Sequence, residues 1–180
     1  PVCGSSKTST HNWLFLEGVK QALIADPTWE TEPGPGLRAF STVYASWFAS
    51  QSFYREGLHL GMFGEPLPSM AEFLERVTAH FGSFDPRDLL AMLATWQAAD
   101  LSAHSRFQGD WQKALGAITA TAVVMPCSHD LYFPPEDNEI EVSMMPSARL
   151  EVIPSIWGHL AGGPGYPSDG IEFVEKQLQG

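Results

Sequence analysis

The chain has 180 residues, 44% of them hydrophobic and 17% charged, with a formal net charge of -11 at pH 7. That composition argues against disorder, and the length suffices for one domain with a sizeable core. The acidic balance argues against nucleic-acid and anionic-membrane partners, and no run of about 18 apolar residues offers a membrane span.

The chain opens on Pro1-Val2-Cys3, which reads as the end of a strand, followed by the polar loop Gly4–Asn12. An independent domain rarely opens on a strand end, so a preceding segment is expected to be absent. Thr10 or Asn12 could cap a helix over Trp13–Ala25, where Trp13, Leu16, Val19 (or Lys20) and Leu23 recur three to four apart. Asp26-Pro27 ends it, and residues 26–36 form a proline–glycine connection. Residues 1–36 are therefore assigned to the end of a central strand and the helix after it.

Leu37–Tyr54 is predicted as one long helix, apolar on most faces and nearly uncharged. Such a helix is buried between neighbours or in a subunit interface, so a homodimer through these helices is one expectation. Its aromatics Tyr44, Trp47, Phe48, Phe53 and Tyr54 could line a pocket, although core packing is the commoner use. Arg55, one of ten basic residues, could hold an anionic group. Gly57–Pro68 is irregular. Ser69 and Glu72 form a capping box for a helix to Phe81, and Asp85-Pro86 opens another over Arg87–Ala98. With no strand among them, residues 37–112 read as a helical lid inserted in an α/β core.

Residues 113–180 read as that core. Val123–Cys127 is a buried strand leading to Ser128-His129-Asp130; Glu136–Met145 is a helix, Arg149–Ile153 a second strand, and His159 follows in a glycine-rich loop. Ser168 could cap a last helix, Asp169–Leu178. The strand–helix–strand–helix order belongs to a doubly wound parallel sheet, whose sites form beyond the carboxyl ends of the strands.

Asp130 and His159 fall at two such ends, the acid before the base, in the order of α/β-hydrolase triads. A carboxylate there would accept the imidazole Nδ1–H and leave the other nitrogen facing a nucleophile. The nucleophile is the missing member. The elbow pattern G-x-S-x-G does not occur, Ser5 and Ser6 lie in the wrong context, and Cys127 is too close in sequence to Asp130. Cys3 and Cys127 make no disulfide framework and read as buried thiols. A metal set of His129, Asp130 and His159 lacks any recognised ligand spacing, and Glu136 and Asp137 suit the first turn of a helix better than a second acidic catalytic position. No phosphate-cradling glycine motif is present. With no basic leader before an apolar run, a cytoplasmic location is expected.

The stretches LYFPPEDNEIEV after the acid and LEVIPSIWGHLAGGPG around the histidine resemble the C-terminal part of the homoserine O-acetyltransferase family of α/β-hydrolases. STHNWLFLEGVKQALIADPTW and FDPRDLLAMLATWQAADLS are similar to that family's segment after the sixth strand and to its last lid segment. The resemblance covers nearly all of this chain and about the second half of a member. It implies the C-terminal part of an α/β-hydrolase fold with an inserted helical lid, Asp130 as the triad acid and His159 as the base, and a serine upstream of Pro1. It also implies acetyl-CoA or another acyl-CoA as co-substrate, an alcohol as acceptor, and no bound cofactor. Where the family carries an Asp after the histidine, this chain has Leu160, which cannot pair with the ammonium of homoserine. Hydrolysis of a carboxylic ester on the same fold is the alternative, and a catalytically inactive fragment or interaction protein is a third reading.

Overall fold

A computed structural model of the chain describes residues 5–32, 34–163, 165–166 and 170–179. The strand read at Pro1–Cys3 and the cap read at Ser168 lie outside the described residues.

Helix α1 (Thr10–Ile24) starts earlier than predicted, because Ser9 caps it: its Oγ accepts the Asn12 N–H at 3.1 Å. The buried face is Asn12, Leu16, Val19 and Leu23, an i, i+4, i+7, i+11 stripe that turns Trp13 outward to 47% exposure. Asp26 then gathers the connection. Its carboxylate accepts from Thr28 N (2.9 Å), Thr28 Oγ1 (2.8 Å) and Gly36 N (3.0 Å), the last in the first turn of α2 (Pro35–Ala45). Only glycine fits at residue 36: a Cβ there would lie 2.4 Å from Leu23 O and 2.6 Å from Asp26 Cβ.

The predicted helix Leu37–Tyr54 is two helices. Ser46 N and Oγ both donate to Val43 O (3.2 and 2.6 Å), which closes the end of α2. Ser50 takes extended backbone and starts α3 (Gln51–Arg55) by accepting from Phe53 N. A serine at each break supplies the hydrogen bonds that end one helix and begin the next. Helices α4 (Met70–Phe81) and α5 (Pro86–Gln97) carry the predicted caps, Ser69 accepting from Glu72 N and Asp85 from Arg87 N. A short α6 (Trp111–Gly116), capped by Asp110, was not legible as a helix.

Strand β1 (Ala122–Val124), helix α7 (Pro135–Ser143) and strand β2 (Ala148–Leu150) follow, then α8 (Gly170–Gln179). β1 and β2 run parallel in the register Ala122↔Ala148, Val123↔Arg149, Val124↔Leu150, and a parallel bridge at Cys127↔Ile153 continues the pairing. Parallel neighbours need a crossover, and α7 supplies it. This is an α/β fold, a small parallel sheet flanked by helices, in the arrangement of part of an α/β-hydrolase with helical insertions.

The chain forms two compact units. One contains Ser5–Lys7, Phe48–Leu58 and the described residues from Asp100 onward, including the sheet. The other, Thr8–Trp47 and His59–Ala99, holds α1, α2, α4 and α5 around Leu16, Val19, Leu23, Phe40, Trp47 and Phe73, all almost completely buried. Burial of each such side chain contributes about 1.5–3 kcal/mol. Within this second unit Trp47 stacks on Phe15 at 3.9 Å and on Trp96 at 5.5 Å, so that part of the predicted aromatic stripe is core.

Candidate functional site

The pairing of β1 with β2 sets the loops after them side by side. Three donors from the first loop reach one carbonyl of the second: Cys127 Sγ, Ser128 Oγ and His129 Nδ1 lie 3.1, 3.1 and 3.0 Å from Ser155 O. The same Nδ1 lies 3.0 Å from Ser128 Oγ, so the polar atoms of the first loop cluster around this carbonyl.

Immediately beyond, Asp130 turns inward. Oδ1 accepts from Tyr132 N (2.7 Å) and Phe133 N (3.2 Å), and Oδ2 accepts from His159 Nδ1 at 3.1 Å. The Asp130 side chain is 1% exposed and that of His159 26%. A carboxylate so deeply buried is tolerable because three hydrogen bonds replace its water. With Nδ1 donating to Asp130, a neutral His159 carries its proton on Nδ1 and has Nε2 as its unprotonated ring nitrogen. The aromatic side chains of the same turn flank the imidazole: Tyr132 stacks on it at 4.2 Å and 28°, and Phe133 meets it edge-on at 5.5 Å.

The histidine loop rests on Phe48–Phe53, part of the stretch predicted as lid. His159 N donates to Phe48 O (3.1 Å), and Ser50 Oγ donates to Ile156 O (2.5 Å). Gly158 sits at φ 65, and a Cβ there would come within 3.0 Å of both Ala49 Cα and Ser50 N. Phe53, fully buried, meets the Trp157 ring at 5.2 Å. Sequence reasoning missed these supports, because Ser50 and Ile156 are 106 residues apart and no local pattern joins them. Tyr132 and Phe133 could have been found from their adjacency to Asp130.

The other candidates are placed elsewhere or differently engaged. Cys127 is buried, which pushes its thiol above the ordinary range. Ser6 is bound into a polar cluster: its N and Oγ both donate to Glu141 Oε1 at 2.7 Å, and Trp111 Nε1 donates to its Oγ at 2.7 Å. Asn138 Nδ2 holds the other oxygen of Glu141 at 3.2 Å. Ser5 Oγ donates to Lys7 O, and Arg55 is exposed, with Nη1 3.4 Å from Ser52 Oγ in its own helix. His129 and Asp130 point to different partners, and among the described residues no group of three or more His, Cys, Asp or Glu could hold a metal ion. Among them too, no helix is long and apolar enough to cross a membrane.

No family model matches the chain. An ethyl acetate hydrolase from Pseudomonas veronii is 32% identical over 167 residues, 88% of this chain and 46% of that protein. The crystal structure of an acetylester hydrolase from Corynebacterium glutamicum superposes with a TM-score of 0.85 at 30% identity, covering 99% of this chain and 52% of that one. A homoserine O-acetyltransferase from Salinibacter ruber is 28% identical over 148 residues, 78% of this chain and 42% of that protein. The chain spans about half the length of the curated relatives it matches.

These findings correct the resemblance to homoserine O-acetyltransferases of which this chain would be only the C-terminal half. Ester hydrolases are more similar, and their likeness runs over nearly the whole of this chain. The reason is physical. Two of the stretches that carried the resemblance build the turn at Asp130 and the loop at His159, which report the fold and not an acceptor. Leu160, where that resemblance expects an Asp, already departed from the acetyltransferase pattern.

Proposed function

We propose that this chain carries the acid and base of a serine-type carboxylic-ester hydrolase acting on short acyl esters, such as acetyl esters of simple alcohols. The observation that carries the reading is the Asp130–His159 pair, a buried carboxylate fixed by two backbone N–H groups with its other oxygen on imidazole Nδ1. The likeness to an ethyl acetate hydrolase and an acetylester hydrolase supports the substrate class.

In this reading His159 Nε2 takes the proton of a serine hydroxyl as its oxygen attacks the ester carbonyl. Asp130 stabilises the imidazolium, which then gives its proton to the departing alcohol. Water repeats the sequence against the acyl-enzyme: His159 takes a proton from it as its oxygen attacks the acyl carbon, then gives that proton to the serine oxygen as the acyl bond breaks and the acid is released. The sequence contains no G-x-S-x-G elbow, so the serine comes from outside these 180 residues. Leu160, beside the base, offers no charge to an amino-acid acceptor, which favours water.

The test is the native polypeptide that carries these residues, assayed on ethyl acetate and 4-nitrophenyl acetate, with acetyl-CoA plus an alcohol as the other arm. Ester hydrolysis should dominate. Asp130→Asn should lower kcat by about 10⁴-fold through the wrong imidazole tautomer, and His159→Ala should abolish the proton transfer. Undiminished hydrolysis in either variant refutes the site, and faster acyl transfer from acetyl-CoA than hydrolysis refutes the choice of water.

A further inference from the structure

A hydrogen bond at Nδ1 fixes one atom of an imidazole but not the plane of the ring. The ring can rock about the Nδ1···Oδ2 contact, and such rocking swings Nε2, the atom that must meet a nucleophile. The turn that presents Asp130 also presents the groups that could stop this motion. Asp130 Oδ1 accepts from the N–H groups of Tyr132 and Phe133, so the carboxylate and the two rings form one hydrogen-bonded turn. Tyr132 is buried, and its ring lies on the face of His159 at 4.2 Å, tilted by 28°. Phe133 is buried too and closes in edge-on at 5.5 Å. Offset stacked and edge-on contacts are the preferred aromatic geometries, and their attraction falls off as the rings separate or tilt.

We infer that Tyr132 is a positioning residue for His159: its stacked ring fixes the imidazole plane, and Phe133 braces the pair from the edge. The catalytic consequence rests on the hydrolase reading above; the ring geometry does not. The requirement is for an aromatic face, so Tyr132→Phe preserves the function and an aliphatic residue does not. A displaced Nε2 harms the chemical step more than substrate binding, because misplacement of about 1 Å can cost on the order of a hundredfold.

The experiment compares Tyr132→Leu, Tyr132→Met and Tyr132→Phe in the full native protein. Methionine fills the same space with a flexible chain should leucine leave a cavity that unfolds the turn. Two quantities are read: the NMR resonances of the His159 ring protons, and kcat and KM on 4-nitrophenyl acetate. Ring current from the stacked Tyr132 should hold the His159 resonances upfield in wild type and in Tyr132→Phe, and that shift should vanish in Tyr132→Leu and Tyr132→Met. The kcat of the aliphatic variants should fall by about ten- to a hundredfold with KM within about twofold, while Tyr132→Phe stays within about twofold in both. Unmoved His159 resonances in folded Tyr132→Leu or Tyr132→Met, or a loss in Tyr132→Phe equal to theirs, overturns the inference. An inactive wild-type protein whose resonances respond as stated overturns the hydrolase reading and leaves the ring placement standing.

Discussion

Replacing Ser50 by alanine tests the support beneath the histidine loop. The hydroxyl makes two bonds at once, accepting from Phe53 N at 3.0 Å to cap α3 and donating to Ile156 O at 2.5 Å. Loss of the cap costs about 1 kcal/mol. Loss of the second bond costs about 1 kcal/mol more, at the low end for a buried acceptor because Ile156 is only half-buried and water can reach it. The expected sum is about 2 kcal/mol, equivalent to a Tm lower by about 4–8 °C in a chain of this size. Urea melts measure the total, and amide exchange at His159, whose N–H is bound to Phe48 O, measures the local loosening. Ser50→Gly separates the two parts, since glycine keeps most of the cap preference while losing the bond to Ile156; it should cost about 1 kcal/mol. A Ser50→Ala effect below about 0.5 kcal/mol, the range of ordinary surface substitutions, would refute the reasoning.

Three further predictions concern strain, burial and charge. Gly158→Ala should cost about 1–2 kcal/mol for its left-handed backbone, and more than Gly57→Ala by the clash with Ala49 and Ser50, because Gly57 has φ 73 but no atom within 4 Å of where its Cβ would stand; equal losses in denaturant melts would remove the clash. Cys127 should resist iodoacetamide at pH 8 in the folded protein and react once urea unfolds it, as read by mass spectrometry of its peptide; rapid native labelling would contradict its burial. The Asp26 carboxyl is held below the ordinary range by the Gly36 N–H first, then by the N–H and hydroxyl of Thr28. A lowered native value stabilises the fold above the unfolded carboxylate value of about 4, and the contribution is lost as pH falls below it. Urea midpoints from pH 6 down to pH 2 should therefore fall less steeply in Asp26→Asn than in wild type, and parallel slopes would show that Asp26 contributes nothing.

The parts of the site that the sequence exposed were local ones. A short apolar run ending in Asp130, and a second ending before a glycine-bordered His159, mark strand exits, and the strands do pair in parallel. Ser69 and Asp85-Pro86 likewise announced their helices, because a cap acts within one turn. What stayed hidden depends on partners far along the chain or on competition between neighbours. Thr10 and Asn12 are the expected caps of α1, whereas Ser9 supplies the cap, one residue before a helix whose buried stripe begins at Asn12. The serines at 46 and 50 cut a helix that composition alone would continue. Ser6, suspicious as a serine near a glycine, is engaged by Glu141 from α7, 135 residues away. The likeness to acetyltransferases erred for a related reason: the stretches that carried it build strand ends and loops of the fold, and a fold does not fix a substrate.

The tie between Ser50 and Ile156 also bears on when the site assembles during folding. Closing a loop costs free energy that grows as the logarithm of its length, about 4 kcal/mol for the 106-residue separation of this pair and about 3 kcal/mol for the 29 residues between Asp130 and His159. Helices and the β1–α7–β2 crossover can form from nearby residues, while the histidine loop waits for its distant floor. Protection of the His159 amide should accordingly appear later in pulse-labelling than protection within α7, and simultaneous protection would place the long closure in the early steps of folding. On the expected order, His159 is among the last groups to reach its place, after the Asp130 turn is already set.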